Sequence, residues 1–525
     1  MKIEKINASM SVSDQILPDD ITRLKADGVE ILVCNRPDGE SAEQPSYDEI
    51  KTAAEKLGID AYAIPFEPGK LSDAQLEEFH QLLASCKKIH AYCRSGARSK
   101  VIFERANTLP KSAAPTGANN RAFDVVIVGA GSAGIATAAS LRKRNKSVTI
   151  AVIDPSDDHY YQPGWTMVGG GVFDVKSTHR MTKDVIPSGV QWLQAAVTGF
   201  TPNDNNVSLD DGGTVSYQQL VIAPGLELNW AGIEGLEETL GKNGVTSNYR
   251  YDLAPYTWEL VQNLKQGKAI FTQPPMPIKC AGAPQKALYL SASEWLSSNR
   301  LKDIDIEFYN AGGVLFGVQE YVPALMSYIE KYRAQLKLSH TLMKVDGNTK
   351  TAWFKQVDGD GQERIVETKF DFLHVCPPQR APQFIRECEL SDAAGWLDVD
   401  PATLQHKQYP NIWGAGDVMN TGNAKTMAAA RKQAPVVAQN IANVFASNQS
   451  RVAYDGYGSC PLTVERGKIV LAEFTYGGKL APSFPAWLNN GTKPTKFAWI
   501  LKANILPAIY WHAMLKGREW MASPM

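Results

Sequence analysis

Residues 122–134 constrain this chain more than any other stretch. Phe123-Asp124-Val125-Val126-Ile127-Val128 is an apolar, β-branched run of the kind that forms a buried parallel strand. Gly129-Ala130-Gly131-Ser132-Ala133-Gly134 follows at once and leads into a helix predicted over 135–144. In such a turn Gly129 permits the tight bend, Gly131 lets a pyrophosphate approach the backbone, and Gly134 lets the helix lie close to the strand. The amides of Ser132 and Ala133, at the positive end of the helix dipole, face the phosphates. A second strand, over 147–153, ends at Asp154, placed to accept ribose hydroxyls. Framed by strand, helix and acidic strand end, the glycine pattern reads as a dinucleotide site rather than a structural turn.

A chain of 525 residues holds three or more compact units. A formal charge of −1, with no basic block, argues against a nucleic-acid partner. Seven cysteines (34, 86, 93, 280, 376, 388 and 460) are scattered without CxxC or metal-ligand spacing. An odd count and a start, MKIEKINASM, without an apolar core read as cytosolic thiols, some of them catalytic. No apolar run is long enough to span a bilayer. The expectation is a cytoplasmic protein, peripheral on the inner face of the cell membrane.

Residues 1–109 alternate short strands (28–34, 60–64, 88–92) with helices (47–57, 72–86), the second opened by a capping-box spacing from Ser72 to Gln75. The last strand delivers Cys93-Arg94-Ser95-Gly96-Ala97-Arg98-Ser99, and a helix is expected from 100. Helix-terminal amides, Arg98 and Arg94 all favour a thiolate at Cys93. Dual-specificity phosphatases place the arginine six residues after the cysteine. Here Arg98 comes five after, and the loop resembles that of a rhodanese. A shorter loop makes a tighter cradle, suited to one sulfane sulfur more than to phosphate oxygens. Asp73 and Glu67 lack a convincing general-acid position, so sulfurtransferase is preferred to phosphatase. Residues 110–121, small, polar and proline-punctuated, read as a linker.

Two further signals follow the glycine turn. Leu220-Val221-Ile222-Ala223-Pro224-Gly225 is a buried strand ending in a tight turn, and Asn411-Ile412-Trp413-Gly414-Ala415-Gly416-Asp417 delivers Asp417 at a strand end before a helix over 428–445. In this order the three resemble the glutathione-reductase-like class of FAD enzymes. That resemblance implies an FAD domain in two parts, 122–235 and 401–450, with a second Rossmann-type domain at 236–400 and a C-terminal region at 451–525. Its cofactor residues would be Gly129, Gly131, Ser132, Ala133, Gly134, Asp154, Ala223, Pro224, Gly225, Gly416, Asp417 and Lys425. The inserted domain lacks GxGxxG at 304–313, which argues against a nicotinamide site. The fold class is α/β throughout: a small phosphatase- or rhodanese-like domain, then a two-Rossmann flavoprotein with an amphipathic C-terminal segment.

A thiolate at Cys280, beside Lys279 and Lys286 in a turn of small residues, is electropositive and reactive. With Asp158-His159-Tyr160-Tyr161-Gln162-Pro163-Gly164-Trp165-Thr166, Gly169-Gly170-Gly171, Pro277-Ile278-Lys279-Cys280-Ala281-Gly282-Ala283-Pro284-Gln285-Lys286, Ala393-Ala394-Gly395-Trp396-Leu397-Asp398-Val399-Asp400 and Tyr454-Asp455-Gly456-Tyr457-Gly458-Ser459-Cys460-Pro461, the chain resembles the mitochondrial-type, or type II, sulfide:quinone oxidoreductases over 122–520. The resemblance implies FAD, a sulfide or persulfide substrate, a membrane quinone acceptor, and a small thiol such as glutathione to take sulfane sulfur. It also implies Cys460 as the redox partner of Cys280. By its own surroundings Cys460 reads equally as a turn residue; Cys376 and Cys388 read as structural.

Residues 497–511, apolar, aromatic and accompanied by Lys496, Lys502, Lys516 and Arg518, suit a segment lying on anionic lipid. Removing 497–525 is then expected to leave a soluble flavoprotein; the alternative is a helix docked on the flavin domain. Two other readings of the whole stay open. One is an NAD(P)H-dependent flavin disulfide or persulfide reductase, the other a membrane-associated sulfur carrier or sensor without turnover.

Overall fold

The computed structural model describes residues 1–7, 10–41, 43–84, 88–108 and 121–524. The chain divides into two compact units, Met1–Ala118 and Asn119–Met525. The linker expected at 110–121 lies, except for Arg121, outside the described residues, as does Cys86.

The first unit is built on a five-stranded sheet in the spatial order Ile3–Lys5, Met10–Ser13, Ile89–Tyr92, Ile31–Cys34, Asp60–Ala63. Only the first pair is antiparallel. Period-two alternation gives the sheet two apolar faces. Val33, Ile89 and Ala91 belong to one core; Leu32, Cys34 and Tyr92 belong to the other. The capping box at Ser72 forms, with the Gln75 amide donating to Ser72 Oγ and the Ser72 amide to Gln75 Oε1. The helix after Cys93 begins at Ala97, three residues earlier than expected, so its first turn lies against the cysteine loop.

In the second unit, Val190–Leu193, Ile150–Ile153, Arg121–Val128, Thr214–Ile222 and Ile412–Gly414 form a parallel run. Asn206–Leu209 and Val197–Thr201 extend that sheet antiparallel. Helices Ser132–Arg144 and Met427–Phe445 lie against each other over it. A second sheet, Val245–Thr246, Phe372–His374, Gly267–Gln273, Ile304–Asn310 and Gln335–Leu338, is parallel throughout. A hairpin, Gly458–Glu465 with Lys468–Phe474, carries Cys460.

The C-terminal segment docks on the second unit by one face, as the alternative reading of the sequence has it. Helix Lys496–Ile500 continues through a π-helical turn, Leu501–Ile505, into helix Leu506–His512. Pro507 does not break it: the wider turn absorbs the missing N–H. Tyr510, Trp511, Met514 and Leu515 join the core of the flavin-type sheet. Glu519 pairs with Arg144 and accepts from Ser140 Oγ. The opposite face leaves Ile500 and Ile505 exposed. Among the described residues no helix is long and apolar enough to cross a membrane.

The segment therefore belongs to the fold. Leu515 and Met514 alone are worth up to about 1.5–3 kcal/mol each in buried area. A chain ending at Lys496 is expected to be insoluble or to melt several degrees below the full chain. A soluble product with an unchanged melting midpoint would contradict this.

Candidate functional site

The glycine turn is shaped by close backbone approaches. Gly129 has φ +103°, and a Cβ there would stand 2.5 Å from the Ala223 carbonyl oxygen. A Cβ at Gly134 would meet the Gly129 carbonyl oxygen at 1.9 Å. At Gly131, by contrast, a Cβ would meet nothing within 4 Å, so the backbone there borders open space. Asp154 Oδ2 accepts the Ala130 amide at 2.7 Å and Oδ1 accepts the Ser156 amide, so this carboxylate also fastens the turn. Gly416 lies against Ala133, and burial pushes the Asp417 carboxyl up. Lys425 Nζ donates to the carbonyls of Asp417 and Met419, both at 2.7 Å, over the Trp396 ring. Burial lowers it to about 8. Its ammonium thus holds the Asp417 turn.

Gly131, Ala223 and Gly416 open onto a cavity of about 310 Å³ that extends to Cys280. Its wall holds buried polar atoms without a protein partner: Tyr161 OH, Trp165 Nε1, Thr166 Oγ1 and both amide atoms of Asn248. Such atoms are costly unless a ligand or water meets them. A phosphate cradle at one end and unpaired donors and acceptors beyond it fit a flavin dinucleotide.

Cys280 occupies a telling position. Strand Gly267–Gln273, helix Ala283–Ser297 and strand Ile304–Asn310 make a parallel strand–helix–strand unit. In a nicotinamide domain the first strand-to-helix connection is the glycine turn. Here residues 274–282 fill that place and carry the cysteine; the sequence reading had sought the turn one strand later, at 304–313. Cys280 has φ +54°, donates its amide to the Lys425 carbonyl at 2.8 Å, and accepts from the Ala283 amide. Lys286, in the first turn of the helix, brings Nζ to 3.0 Å from Cys280 Sγ. The thiol of Cys460 donates to the same sulfur. That hydrogen bond, then Lys286 and Lys502, hold Cys280 well below the usual thiol range against the opposing effect of burial. Cys460, fully buried, is driven well above it by its contact with the Cys280 sulfur and by burial.

Two lysines differ from expectation. Lys279 donates to Gln162 Oε1 and leaves the sulfur to Lys286. Lys502, taken as a lipid-facing charge, is only 3% exposed, donates to the Pro163 carbonyl at 2.9 Å and lines the cavity. Burial and then repulsion from Lys286 lower it to about 7. The signal was a lysine on the buried stripe of a helix, beside Ala498 and Leu501. Cys376 and Cys388 lie in apolar surroundings, the former pushed up to about 12 by burial.

In the first unit the amides of Ser99, Ser95, Arg98 and Gly96 surround Cys93 Sγ, the last at 3.1 Å. Burial opposes the thiolate, but the amides outweigh it and hold Cys93 below the usual range. Arg98 grips Glu40 with both terminal nitrogens, at 2.6 and 2.8 Å, and donates to the Phe66 carbonyl. Glu40, held at about 2 first by Arg98 and also by Arg36, was missed in the sequence. It follows strand Ile31–Cys34, whose neighbour in the sheet is the strand leading to Cys93. Arg94 is exposed, and Glu67 pairs with Lys70.

Residues 2–109 match the family described as "Beta-lactamase hydrolase-like protein, phosphatase-like domain", and 123–261 match "Pyridine nucleotide-disulphide oxidoreductase". The mitochondrial sulfide:quinone oxidoreductase of Mus musculus is 36% identical over 75% of this chain and 87% of its own length. That of Dictyostelium discoideum is 40% identical over 75% and 86%. The crystal structure of the sulfide:quinone oxidoreductase of Aquifex aeolicus shares the fold at a TM-score of 0.61, with 19% identity, covering 76% of this chain and 91% of that one. On this likeness to relatives 36% and 40% identical over 87% and 86% of their own length, the chain belongs to the sulfide:quinone oxidoreductases.

Proposed function

We propose that the second unit oxidises sulfide with FAD as its flavin and passes the electrons to a membrane quinone. One observation carries the reading: the Cys280 sulfur, in contact with Lys286 Nζ and the Cys460 thiol, opens on the cavity that begins at the glycine turn. The amides at Gly131, Ser132 and Ala133 would hold the pyrophosphate, with Asp154, the Ala223–Gly225 turn and Asp417 around the rest of the dinucleotide. Bound there, FAD supplies a two-electron acceptor. The cysteines, free thiols in this structure, would do the sulfur chemistry as a disulfide. Hydrosulfide attacks one sulfur of the Cys280–Cys460 bond, leaving a persulfide on one cysteine and a thiolate on the other. An outside thiol takes the outer sulfur as RSSH, and the disulfide re-forms as two electrons leave for the quinone. The balance is HS⁻ + RSH + quinone + H⁺ → RSSH + quinol, with sulfide the reductant and a small thiol such as glutathione as RSH.

The Cys460 thiol, then Lys286, favour the Cys280 thiolate, and Cys460 stays protonated beside it, so one proton and one nucleophile sit on adjacent sulfurs. Phe484, Leu506, Ile509 and Trp520 line the cavity, suiting a quinone ring. Trp487, 85% exposed, with Ile500, Ile505 and Met521, gives the C-terminal region an apolar surface fit for lipid. We place the enzyme peripherally on the cytoplasmic face of the cell membrane.

For the first unit we propose sulfur transfer: Cys93 attacks sulfane sulfur and hands it to a thiol. Covalent linkage to the source raises the effective concentration of donor and acceptor. The matched family's phosphatase-like description favours a second reading, aryl-phosphate hydrolysis, which one comparison of activities separates.

Three outcomes are expected. Cys280→Ser retains its flavin but loses sulfide-dependent bleaching by at least about 100-fold, a loss in the range of a removed nucleophile; bleaching at the wild-type rate would remove Cys280 from the chemistry. In Lys286→Met, alkylation of Cys280 by iodoacetamide falls away at a higher pH than in wild type. A folded thiol pKa held down by Lys286 keeps the thiolate present above that low value, and losing the lysine moves the boundary up; an unmoved profile would show that Lys286 does not set it. In the full chain, Cys93→Ser abolishes persulfide-to-thiol transfer and leaves sulfide bleaching intact. Phosphatase turnover that vanishes in this variant, with sulfur transfer unchanged, would establish the second reading.

A further inference from the structure

The hydroxyl of Tyr510 stands at the centre of a buried polar network outside the sulfur chemistry. It lies 2.6 Å from His159 Nε2 and 2.8 Å from Ser132 Oγ. His159 Nδ1 lies 2.9 Å from the Ala130 carbonyl oxygen. The protons can be assigned one by one. Burial lowers His159 to about 4, so the ring is neutral at pH 7, with one donor and one acceptor. A carbonyl only accepts, so Nδ1 carries the hydrogen and Nε2 accepts from the Tyr510 hydroxyl. The Tyr160 carbonyl, 3.4 Å from that hydroxyl, is the poorer acceptor. With the tyrosine proton committed, Ser132 Oγ–H donates to the Tyr510 oxygen.

Ala130 and Ser132 flank Gly131, whose backbone borders the open cradle. The Ala130 amide is already bound to Asp154. His159 and Tyr510 thus brace the phosphate turn from both sides of Gly131. Tyr510 comes from 378 residues beyond Ser132, and its ring is held between those of Tyr161 and Trp511, each 4.8 Å away between centroids. Farther along the same segment, Gly517 approaches the Ala139 carbonyl so closely that a Cβ would stand 2.6 Å from it, and Glu519 meets Arg144. Ser132, Ala139 and Arg144 all belong to helix Ser132–Arg144, which starts at the phosphate turn.

We infer that His159 and Tyr510 are positioning residues for the phosphate turn, and that flavin binding and docking of residues 506–519 are therefore linked. Whatever the brace adds to flavin affinity, bound flavin returns to the docking of the segment. The inference rests on the flavin reading of the glycine turn and is independent of the sulfide reading.

The test uses the full-length holoenzyme and needs neither sulfide nor quinone. FAD release is followed by the rise of free-flavin fluorescence on dilution. The apoprotein's melting midpoint and the amide exchange of residues 506–519, with and without FAD, are measured alongside. Tyr510→Phe keeps the ring and loses the hydroxyl; FAD is expected to leave roughly 5–20-fold faster, from the loss of one or two neutral hydrogen bonds. The apoprotein midpoint should stay within about 2 °C of wild type, a shift of a kcal/mol or so at most. FAD-conferred protection of 506–519 should fall. His159→Leu should match Tyr510→Phe. His159→Gln, which can donate to Ala130 and accept from Tyr510, should restore slow release. If Tyr510→Phe does not fold, Ser132→Ala cuts the same bond from the other side and decides. Wild-type release rates in Tyr510→Phe and His159→Leu, or in Ser132→Ala when it decides, would overturn the inference. So would amide exchange in 506–519 that ignores FAD.

Discussion

A buried lysine ammonium and a thiolate on the cavity wall, 3.0 Å apart, set the terms for everything around them. The buried ammonium of Lys286 depends on the sulfur beside it, since an unpaired charge inside a protein is costly. The surrounding structure supplies what the pair needs. Cys460 contributes a hydrogen bond to the sulfur and stays protonated to do so. Lys502, the next cation in, also favours the thiolate, while burial and the Lys286 charge lower its own proton affinity. Cys280 itself holds a left-handed backbone, which costs a non-glycine residue about 1–2 kcal/mol, and the hydrogen bond its amide donates to the Lys425 carbonyl helps keep it there. A glycine would relax that strain and would lose the sulfur.

The pair occupies the place where a dinucleotide-binding domain would have a glycine-rich turn. Residues 274–282 connect the strand and helix that normally cradle a pyrophosphate, yet Gly282 is spent on packing: a Cβ there would stand 2.3 Å from Leu462. Leu462 lies two residues beyond Cys460 on the C-terminal hairpin. At Gly282, then, the Leu462 side chain of the hairpin packs directly against the start of the helix, next to Cys280. The second Rossmann-type unit retains its sheet, while the turn that would bind a dinucleotide carries Cys280 instead.

Much of this was legible in the sequence because the strongest signals are local. The glycine turn, the strand ends at Ala223 and Gly416, the Ser72 capping box and the cysteine loop at Cys93 each state their geometry within ten residues. What escaped is long-range. No spacing links Cys460 to Cys280 across 180 residues; there only the resemblance spoke, and the hydrogen bond between them depends on how the hairpin closes. Glu40 and Arg98 meet because adjacent strands end together, which requires the strand order. The C-terminal segment misled for a physical reason: aromatic residues with interspersed lysines describe a lipid surface and a docked helix equally well. Burial of Tyr510, Leu515 and Lys502 decides for docking on one face. The helix start at Ala97 was read three residues late because Gly96 and Ser95 look like loop until amides converging on a thiolate make them a helix N-terminus.

In the proposed reaction, electrons enter through the cysteine pair and not through a nicotinamide. Anaerobic titration of the wild-type holoenzyme tests it directly, with the flavin spectrum as readout, first against sulfide, separately against NADH and NADPH, and then with a short-chain quinone. The account requires stoichiometric bleaching by sulfide, full recovery of the oxidised spectrum on adding quinone, and no bleaching by either nicotinamide. Rapid bleaching by NADH or NADPH, with a spectrum that sulfide leaves untouched, would contradict it.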